Sequence, residues 1–486
     1  MPERTAPALA APPATQSLWR AQLLLAGCVF LASLVGIFSR PINYLSAFWP
    51  ANAILLGLLL RHPRWAAAPG TWLWSLAAFV AADMITGTSW QKALALNLGN
   101  LAGVLAGWLY LSRLPEAVVH LRHQRSVLHL LAGCTVAATG CALVGGPAGS
   151  HFLNISLVES AAMWMFSEFF NFILVTPVLL AAPRGWPWQW RLQDAMLPLR
   201  GRPRPPLMPL LALLVSEVVT VLVGGPGSLG FVMPALVWCA MAYGVFPITV
   251  LNLLLYGWKT AFAALGALSF THNHLWEVVS LRMGMGLLSV APLAVACAYA
   301  LRLQALEKLN HAVNHDFLTG TLGRRALMER GDRMLERLRE EGASVAVLML
   351  DLDHFKQIND RHGHAQGDAV LQQFAAMAQQ HLRPQDLFGR LGGEEFAVFL
   401  PHLSHAQALA VGERLREQLK AERFALPEGG ALQVTLSAGL YQVRRVGAED
   451  SLERLLSRAD KALYGAKAAG RDQVRPYVDM REAAPV

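Results

Sequence analysis

The sequence predicts a polytopic α-helical membrane domain followed by an α/β domain. Of the 486 residues, 54% are hydrophobic and mean hydropathy is +0.37, unusual values for a wholly water-soluble chain. The long apolar runs, among them Leu23 to Phe38, Leu94 to Leu111 and Leu207 to Val223, all precede residue 303. Beyond that point short β-rich runs alternate with amphipathic helical patterns, as in a sheet covered by helices.

Charge divides the chain at the same place. Met1 to Leu303 holds 17 Lys/Arg against 8 Asp/Glu, whereas Gln304 to Val486 holds 24 against 25. The basic excess therefore belongs to the apolar half, where it punctuates the ends of apolar runs. That placement fits a membrane protein, with membrane lipid as a partner, and excludes nucleic acid as the reason for an isoelectric point near 9.4. The five cysteines, Cys28, Cys134, Cys141, Cys239 and Cys297, lie in apolar stretches without a CxxC pair and are expected to be small buried hydrophobes.

Residues 1–17 are Ala/Pro-rich and are expected to form a flexible tail rather than a cleaved signal. Residues 18–303 form the membrane domain. Spans of roughly 20 residues are expected from near Leu18, Tyr44, Gly70, Leu94, Val127, Val158, Leu207, Phe231, Pro247 and Leu281. This gives about ten spans, or about eight if the Phe231 to Ala267 pair is re-entrant. Arginines at every second boundary (Arg61/Arg64, Arg113/Arg122/Arg125, and Arg184/Arg191/Arg200/Arg202/Arg204) mark the cytoplasmic side. The alternate boundaries, Thr86 to Trp90, Gly145 to His151, Gly224 to Gly230 and Thr271 to His274, carry almost none. An even number of spans then puts both termini and the soluble half in the cytoplasm. The segment Phe48-Trp49-Pro50-Ala51-Asn52-Ala53-Ile54, with Arg61 after it, resembles the start of the first type of membrane-associated bacterial sensor domain. The resemblance implies a sensor in the bacterial inner membrane. Asp83, Glu159, Glu168, Asn171, Glu217, Asn252 and Lys259 fall within apolar segments, where they either pair with one another or form a stimulus site; no ligand follows from them.

Residues 304–315 form an amphipathic connector helix. Leu306, Leu309 and Val313 recur at i, i+3 and i+7, a seam that would pair two copies of the chain.

The soluble domain, 316–486, begins its sheet with Ser344 to Leu350, a buried strand ending on Asp351-Leu352-Asp353. Strands at Leu387 to Leu391 and Phe396 to Leu400 flank the turn Gly392-Gly393-Glu394-Glu395, and a further strand is expected at Leu432 to Leu440. Helices are expected at about Arg324 to Glu341, Gln366 to His381, Ala406 to Ala421 and Ser451 to Ala469. Carboxylates at a strand end and an adjacent hairpin suit a hard cation such as Mg²⁺, which takes oxygen ligands and keeps contact with substrate phosphates. Two such ions favour attack of a hydroxyl on phosphorus.

Gly392-Gly393-Glu394-Glu395-Phe396 resembles the signature of the GGDEF family, and Asp351-Leu352-Asp353-His354-Phe355-Lys356-Gln357-Ile358-Asn359-Asp360 resembles its metal and phosphate segment. Asp316-Phe317-Leu318-Thr319-Gly320, Gly363-His364 with Gly367-Asp368, Arg383-Pro384-Gln385-Asp386 and Ala462 to Arg471 agree in order and spacing, so the resemblance covers Asp316 to Tyr477. It departs at Thr321 and Gly323, where Leu and Asn are more usual.

The resemblance implies a nucleotidyl-cyclase-like palm fold and diguanylate cyclase activity, the condensation of two GTP into cyclic di-GMP. Asp351, the Leu352 carbonyl and Glu394 would hold Mg²⁺, with Mn²⁺ as an alternative. Glu394 or Glu395 would assist loss of the 3′-hydroxyl proton. Asn359 and Asp368 would select guanine, whose N1–H adenine lacks. His354, Phe355, Lys356, Lys467 and Arg471 would meet the nucleotide, Lys356 also offsetting charge in the transition state. Arg383 and Asp386 would form a product-inhibition site for cyclic di-GMP. One GTP per domain requires a homodimer, and the stimulus or partner acting on the membrane half is not specified. A nucleotide-sensing module without turnover, a cyclase with another nucleotide product, and a transporter with a regulatory soluble domain are the competing expectations.

Overall fold

The structure is a computed structural model and describes residues 18–39, 46, 48–183, 206–264, 275–426 and 429–478. Expectations placed on the tail 1–17, on a span start near Tyr44, on Arg184, Arg191, Arg200, Arg202 and Arg204, and on Thr271 to His274 fall outside the described residues. The chain divides into two compact units that part between Gln304 and Ala305.

In the first unit, among the described residues, six helices are long and apolar enough to cross a membrane. They begin at Leu18, Trp90, Ser126, Leu157, Val245 and Leu275. The other expected spans are shorter helices: Ala51–Arg61 of 11 residues, Pro69–Ile85 of 17, Met208–Val223 of 16 and Met233–Tyr243 of 11. At 1.5 Å per residue these fall short of a hydrocarbon core of about 30 Å. Pro50 and Pro63 bracket the first of them, and Gly244, at φ +89°, separates Met233–Tyr243 from the helix beginning at Val245. A proline withholds an amide and a left-handed residue turns the chain, so an apolar run breaks where its hydropathy does not.

The Leu157–Ala181 helix is the most enclosed of the six: 78% of its apolar window is buried, against 28% for Leu18–Phe38. It can therefore carry Glu168 and Asn171, both buried, away from lipid. The Trp90–Leu111 and Ser126–Leu153 helices meet through small residues; a Cβ on Gly99 would come within 2.6 Å of the Gly145 Cα. Arg61 donates to the carbonyls of Leu179 at 2.6 Å, Ala182 at 2.8 Å and Pro183 at 3.1 Å, and His120 Nδ1 lies 3.0 Å from the Leu180 carbonyl. The Arg61 boundary and the Leu111 to Ser126 boundary thus share one end of the unit.

The polar residues of this half separate into distinct roles. Glu159 forms a capping box with Ser156 at a helix start. Glu217 pairs with Lys259 at 2.9 Å, and Asn252 donates to the Ser289 carbonyl at 2.9 Å. Asp83, Glu168 and Asn171 line one cavity. Four cysteines are buried as expected, whereas Cys28 is exposed.

The last apolar helix runs unbroken from Leu275 to Asn314, so the connector is its continuation. Leu306, Leu309 and Val313 are 49%, 60% and 55% exposed, an apolar seam without a cover in the single chain.

The second unit is a mixed six-stranded sheet between two helical layers. Its strands are β1 (Leu322–Gly323), β2 (Val345–Leu352), β3 (Leu387–Gly392), β4 (Glu395–Pro401), β7 (Leu436–Val443) and β8 (Val474–Pro476), in the order β1-β3-β4-β2-β7-β8. The central β2 is antiparallel to both β4 and β7 and buried throughout. Its residues alternate between the two faces. Ala346, Leu348, Leu350 and Leu352 pack with Phe355, Val370, Phe374 and Leu415, whereas Val345, Val347 and Met349 pack with Leu327, Leu335, Leu455 and Leu463. The helices Arg324–Glu341, His364–His381, His405–Ala421 and Leu452–Ala468 lie within two residues of their predicted bounds.

The strand expected over Leu432 to Leu440 divides. Leu432 pairs with β5 (Phe424–Ala425) as part of β6 (Ala431–Leu432), a separate ribbon, and β7 begins only at Leu436. Between them the Thr435 carbonyl accepts from the Asp353 amide at 2.9 Å, which continues the β2–β7 register by one residue, so the strand loses its lead-in residues to the β5–β6 ribbon.

Packing of the Leu452–Ala468 helix on β7 needs a bare Cα at Gly439, where a methyl would strike the Ala459 carbonyl and the Leu463 amide. Gly439→Ala should destabilise the second unit by about 1–3 kcal/mol, the usual cost of overpacking, read as a lowered urea midpoint.

Candidate active site

Asp351, Glu394 and Glu395 approach one another because of sheet register. Asp351 is the seventh residue of β2 and stands opposite Glu395 of β4, while the Leu352 amide donates to the Glu394 carbonyl at 3.4 Å. The β3–β4 turn reverses through Gly393, whose φ of +52° is left-handed. Arg390 fixes this turn, donating from Nε to the Gly393 carbonyl at 2.9 Å and pairing through its guanidinium with Asp316 at 3.0 Å. The opening Asp316 to Thr321 turn is thereby tied to the signature turn, and Asp316 also accepts from the Thr319 amide and hydroxyl. Thr321, a departure from the family pattern, is buried and shares a hydroxyl contact of 2.9 Å with Thr319.

The parity of β2 directs Asp351 to the face of the Leu452–Ala468 helix, whose Lys467 Nζ lies 2.7 Å from Asp351 Oδ2. Burial pushes the Asp351 carboxyl up to about 6; Lys467 opposes the rise, and Glu394 and Glu395 add to it. Lys467, expected beside the nucleotide, is thus also the counter-ion of Asp351.

Two residues later, Asp353 is saturated. It accepts from Thr435 Oγ1 at 2.8 Å, Ser437 Oγ at 2.7 Å and the Asp472 amide at 3.1 Å. Asp472 in turn pairs with Arg416 at 2.8 Å and Lys420 at 2.6 Å. Asp353 therefore fastens the end of β2, the start of β7 and the loop bearing Arg471 to one another. Sequence reasoning did not single out Asp353, Asp472 or Arg390; the one local signal was a second acid two residues after Asp351, on the same strand parity.

His354, at φ +58°, turns the chain into the Phe355–His362 helix. Phe355 is buried in the core, so only its main chain is available to a ligand, whereas His354 and Lys356 are exposed. Asn359 lies against the Cα of Gly367, where any side chain would strike its Oδ1, and Asp368 follows on the same helix, exposed. Arg471 is exposed, at φ +63°.

Arg383 and Asp386 stand elsewhere. They precede β3, whose far end carries the signature turn, about 20 Å away at some 3.3 Å per residue. They bond to each other: Asp386 accepts from the Arg383 amide at 2.8 Å and from its guanidinium at 3.0 Å, with the Asp386 side chain only 1% exposed. Asp386 thus orients Arg383, and Arg383 alone offers a free surface.

Residues 313–473 match the family model described as the diguanylate cyclase GGDEF domain. The chain is 28% identical over 447 residues to the probable diguanylate cyclase DgcF of Escherichia coli O157:H7, covering 90% of this chain and 91% of that protein. It is 41% identical over 160 residues to the response regulator PleD of Caulobacter vibrioides, covering 33% of this chain and 35% of PleD. Among solved structures, the GGDEF domain of DgcB from Caulobacter crescentus in complex with c-di-GMP is 29% identical, covers 34% of this chain and 95% of that one, and gives a TM-score of 0.32. The second unit carries a GGDEF domain homologous to those of diguanylate cyclases, and these relatives support diguanylate cyclase activity.

In the metal-free domain the folded state holds the Asp351 proton more tightly than the unfolded chain, whose carboxyl has the ordinary value of 3.8. The stability this contributes is fully present below that ordinary value and is lost as pH rises through about 6. Urea denaturation at about pH 5 and about pH 7 should therefore show a larger loss for the parent than for Asp351→Asn.

Proposed function

With a GGDEF domain at residues 313–473 as premise, we propose that this protein is an inner-membrane diguanylate cyclase that condenses two GTP into cyclic di-GMP and two pyrophosphates. The observation that carries the proposal is the convergence of Asp351, Glu394 and Glu395 where β2 ends and the β3–β4 hairpin turns.

The donors fit a cation that shares its shell with phosphate. Among the described residues no group of three or more His, Cys, Asp or Glu side chains forms a ready cage. The available set is two carboxylates, Asp351 and Glu394, with the Leu352 carbonyl, and Mg²⁺ characteristically completes such a set with substrate oxygens. The Asp351 carboxyl, raised first by burial and then by Glu394 and Glu395, is a second sign of fit, since an adjacent cation favours its ionised form. Bound there, Mg²⁺ or Mn²⁺ would offset negative charge on the triphosphate and polarise the attacked phosphorus.

The chain's own residues supply the rest. Asn359 and Asp368 select guanine, Asp368 accepting from the N1–H and exocyclic amine that adenine does not offer in that arrangement. Lys356, Lys467, Arg471, His354 and the main chain at Phe355 hold the phosphates. Glu394 or Glu395 takes the proton of the 3′-hydroxyl as its oxygen forms a bond to the α-phosphorus of the opposite GTP, and the bond to the bridging oxygen of pyrophosphate breaks. Because each domain binds one GTP, two must face each other, and positioning sets the rate.

The exposed Leu306, Leu309 and Val313 seam supports a homodimer joined along the connector. The basic boundaries gathered at one end of the helical unit support a cytoplasmic placement of that end. A stimulus acting on the membrane unit then changes how the two connectors pair. Arg383, oriented by Asp386, binds cyclic di-GMP and restrains the domains.

A fragment from Leu301 to the end, dimerised by a fused zipper, should form cyclic di-GMP from GTP and Mg²⁺, and Glu394→Ala should lower turnover by at least about 100-fold. Tight GTP binding without turnover in the parent would instead identify a sensing module. In the same assay Arg383→Ala should raise the cyclic di-GMP concentration for half inhibition about tenfold or more, the loss of one charge-assisted hydrogen bond.

A further inference from the structure

The Leu452–Ala468 helix ends in a Schellman closure: the Gly470 amide donates to the Lys467 carbonyl at 3.5 Å and the Arg471 amide to the Ala466 carbonyl at 3.1 Å. That closure asks for one left-handed residue, and Gly470, at φ +113°, supplies it without a side-chain penalty. The chain nevertheless stays left-handed for two more residues, Arg471 at φ +63° and Asp472 at φ +45°. Among the described residues no other two left-handed residues that carry a Cβ are adjacent. Such a conformation is costly and persists only where its surroundings impose it.

Charged side chains grip the turn from two sides. Asp353 Oδ2 accepts from the Asp472 amide at 3.1 Å, and the Asp353 carboxylate, buried, is itself fixed by Thr435 Oγ1 at 2.8 Å and Ser437 Oγ at 2.7 Å. The Asp472 carboxylate is held on its other side by Arg416 at 2.8 Å and Lys420 at 2.6 Å, both from the His405–Ala421 helix. Gln473 then leads the chain into β8, its carbonyl accepting from the Ala438 amide at 3.0 Å.

What the turn presents is Arg471, exposed, with a guanidinium that makes no hydrogen bond or ion pair among the described residues. Lys467, one helical turn earlier, is by contrast engaged by Asp351 at 2.7 Å. Asp351 and Asp353, two residues apart at the end of β2, thus hold the end of this helix and the turn that follows it. Helix closure needs neither Arg471 nor Asp472 to be left-handed, so the strain is kept for another purpose. A guanidinium offers five donors in a fork that matches phosphate oxygens, and this one stands one helical turn beyond the cation that meets the acid cluster. The proposed guanine contacts, Asn359 and Asp368, lie on the helices Phe355–His362 and His364–His381 instead.

We infer that Asp353 and Asp472 are positioning residues for the triphosphate: they act through the strained Gly470 to Asp472 turn to hold Arg471 to the phosphates of GTP, and Arg416 and Lys420 anchor Asp472 from the neighbouring helix. The inference rests on the reading of the second unit as a GTP-using cyclase domain and adds four side chains to which that reading gives no part. Its consequence is selective. Loosening the turn weakens the hold on the phosphate chain and leaves the hold on guanine as it was.

The test uses the full chain in nanodiscs with Mg²⁺ and two nucleotides that cannot condense: 3′-deoxy-GTP, which lacks the attacking hydroxyl, and GMP, which lacks the pyrophosphate leaving group. Calorimetry gives the affinity for the first, and competition against it the affinity for the second. Asp353→Ala should weaken 3′-deoxy-GTP about tenfold or more and leave GMP within about twofold. Lys420→Met, at an exposed position that keeps the fold, should do the same on a smaller scale, about threefold. Asp353→Asn should recover most of the loss, since its amide oxygen accepts from Thr435 and the Asp472 amide while its NH₂ donates to the Ser437 hydroxyl. In an Arg471→Met background Asp353→Ala should cost nothing further, because both act on one contact. Equal losses for the two nucleotides, an Asp353→Asn variant no better than Asp353→Ala, or additive losses with Arg471→Met would each overturn the inference while leaving the cyclase reading in place. A parent protein that binds neither nucleotide would overturn the cyclase reading and this inference with it.

Discussion

The catalytic unit depends on the register of β2. A strand's side chains alternate faces, so a slip of one residue would move Asp351 from the face of the Leu452–Ala468 helix to the opposite layer and take it away from Lys467. The same register sets Glu395 opposite Asp351 and brings the Leu352 amide to the Glu394 carbonyl. The two packed layers, one on each face of a strand buried along its whole length, hold that register. The acids at its end are consequently held close, and the Asp351 carboxyl is raised first by burial and then, to a lesser extent, by Glu394 and Glu395.

Around this cluster, charges with no part in the proposed chemistry hold the backbone still. Asp353 spends its carboxylate on β7 and on the loop before β8, and Asp472 in that loop is itself held by Arg416 and Lys420. Arg390 does the same for the signature turn, binding a carbonyl of the turn with one part of its guanidinium and Asp316 with another. A phosphate-transfer site works chiefly by placing groups correctly, so rigidity around the acids is a functional property rather than a by-product.

The helical unit solves a different problem, keeping polar side chains away from lipid. Glu217 and Lys259 do so as a pair, Glu159 by capping a helix, and Asp83 and Glu168 by a relay of asparagine amides. The last apolar helix continues through Leu306, Leu309 and Val313 to Asn314 without a break. Leu306, Leu309 and Val313 leave an apolar seam exposed on its last turns.

The sequence alone located the division of the chain, four helices of the second unit to within a residue or two, and the signature turn, but not the short helix Phe355–His362, because apolar periodicity over several turns and contiguous motifs are local properties. It misjudged elements whose limits depend on distant partners. The strand at Leu432 to Leu440 starts late because Ala431–Leu432 pairs instead with Phe424–Ala425, and proline and glycine bound the short helices Ala51–Arg61 and Met233–Tyr243 within apolar runs that hydropathy treats as continuous. Tertiary structure alone decided that Lys467 answers Asp351, that Asp386 is spent on Arg383, that Phe355 is a core residue, and that Arg282 and Glu168 line one cavity. Each of these joins residues far apart in the chain or on different helices, or turns on how a side chain packs, and the charge of a buried group is settled by what surrounds it in space rather than by its neighbours in sequence.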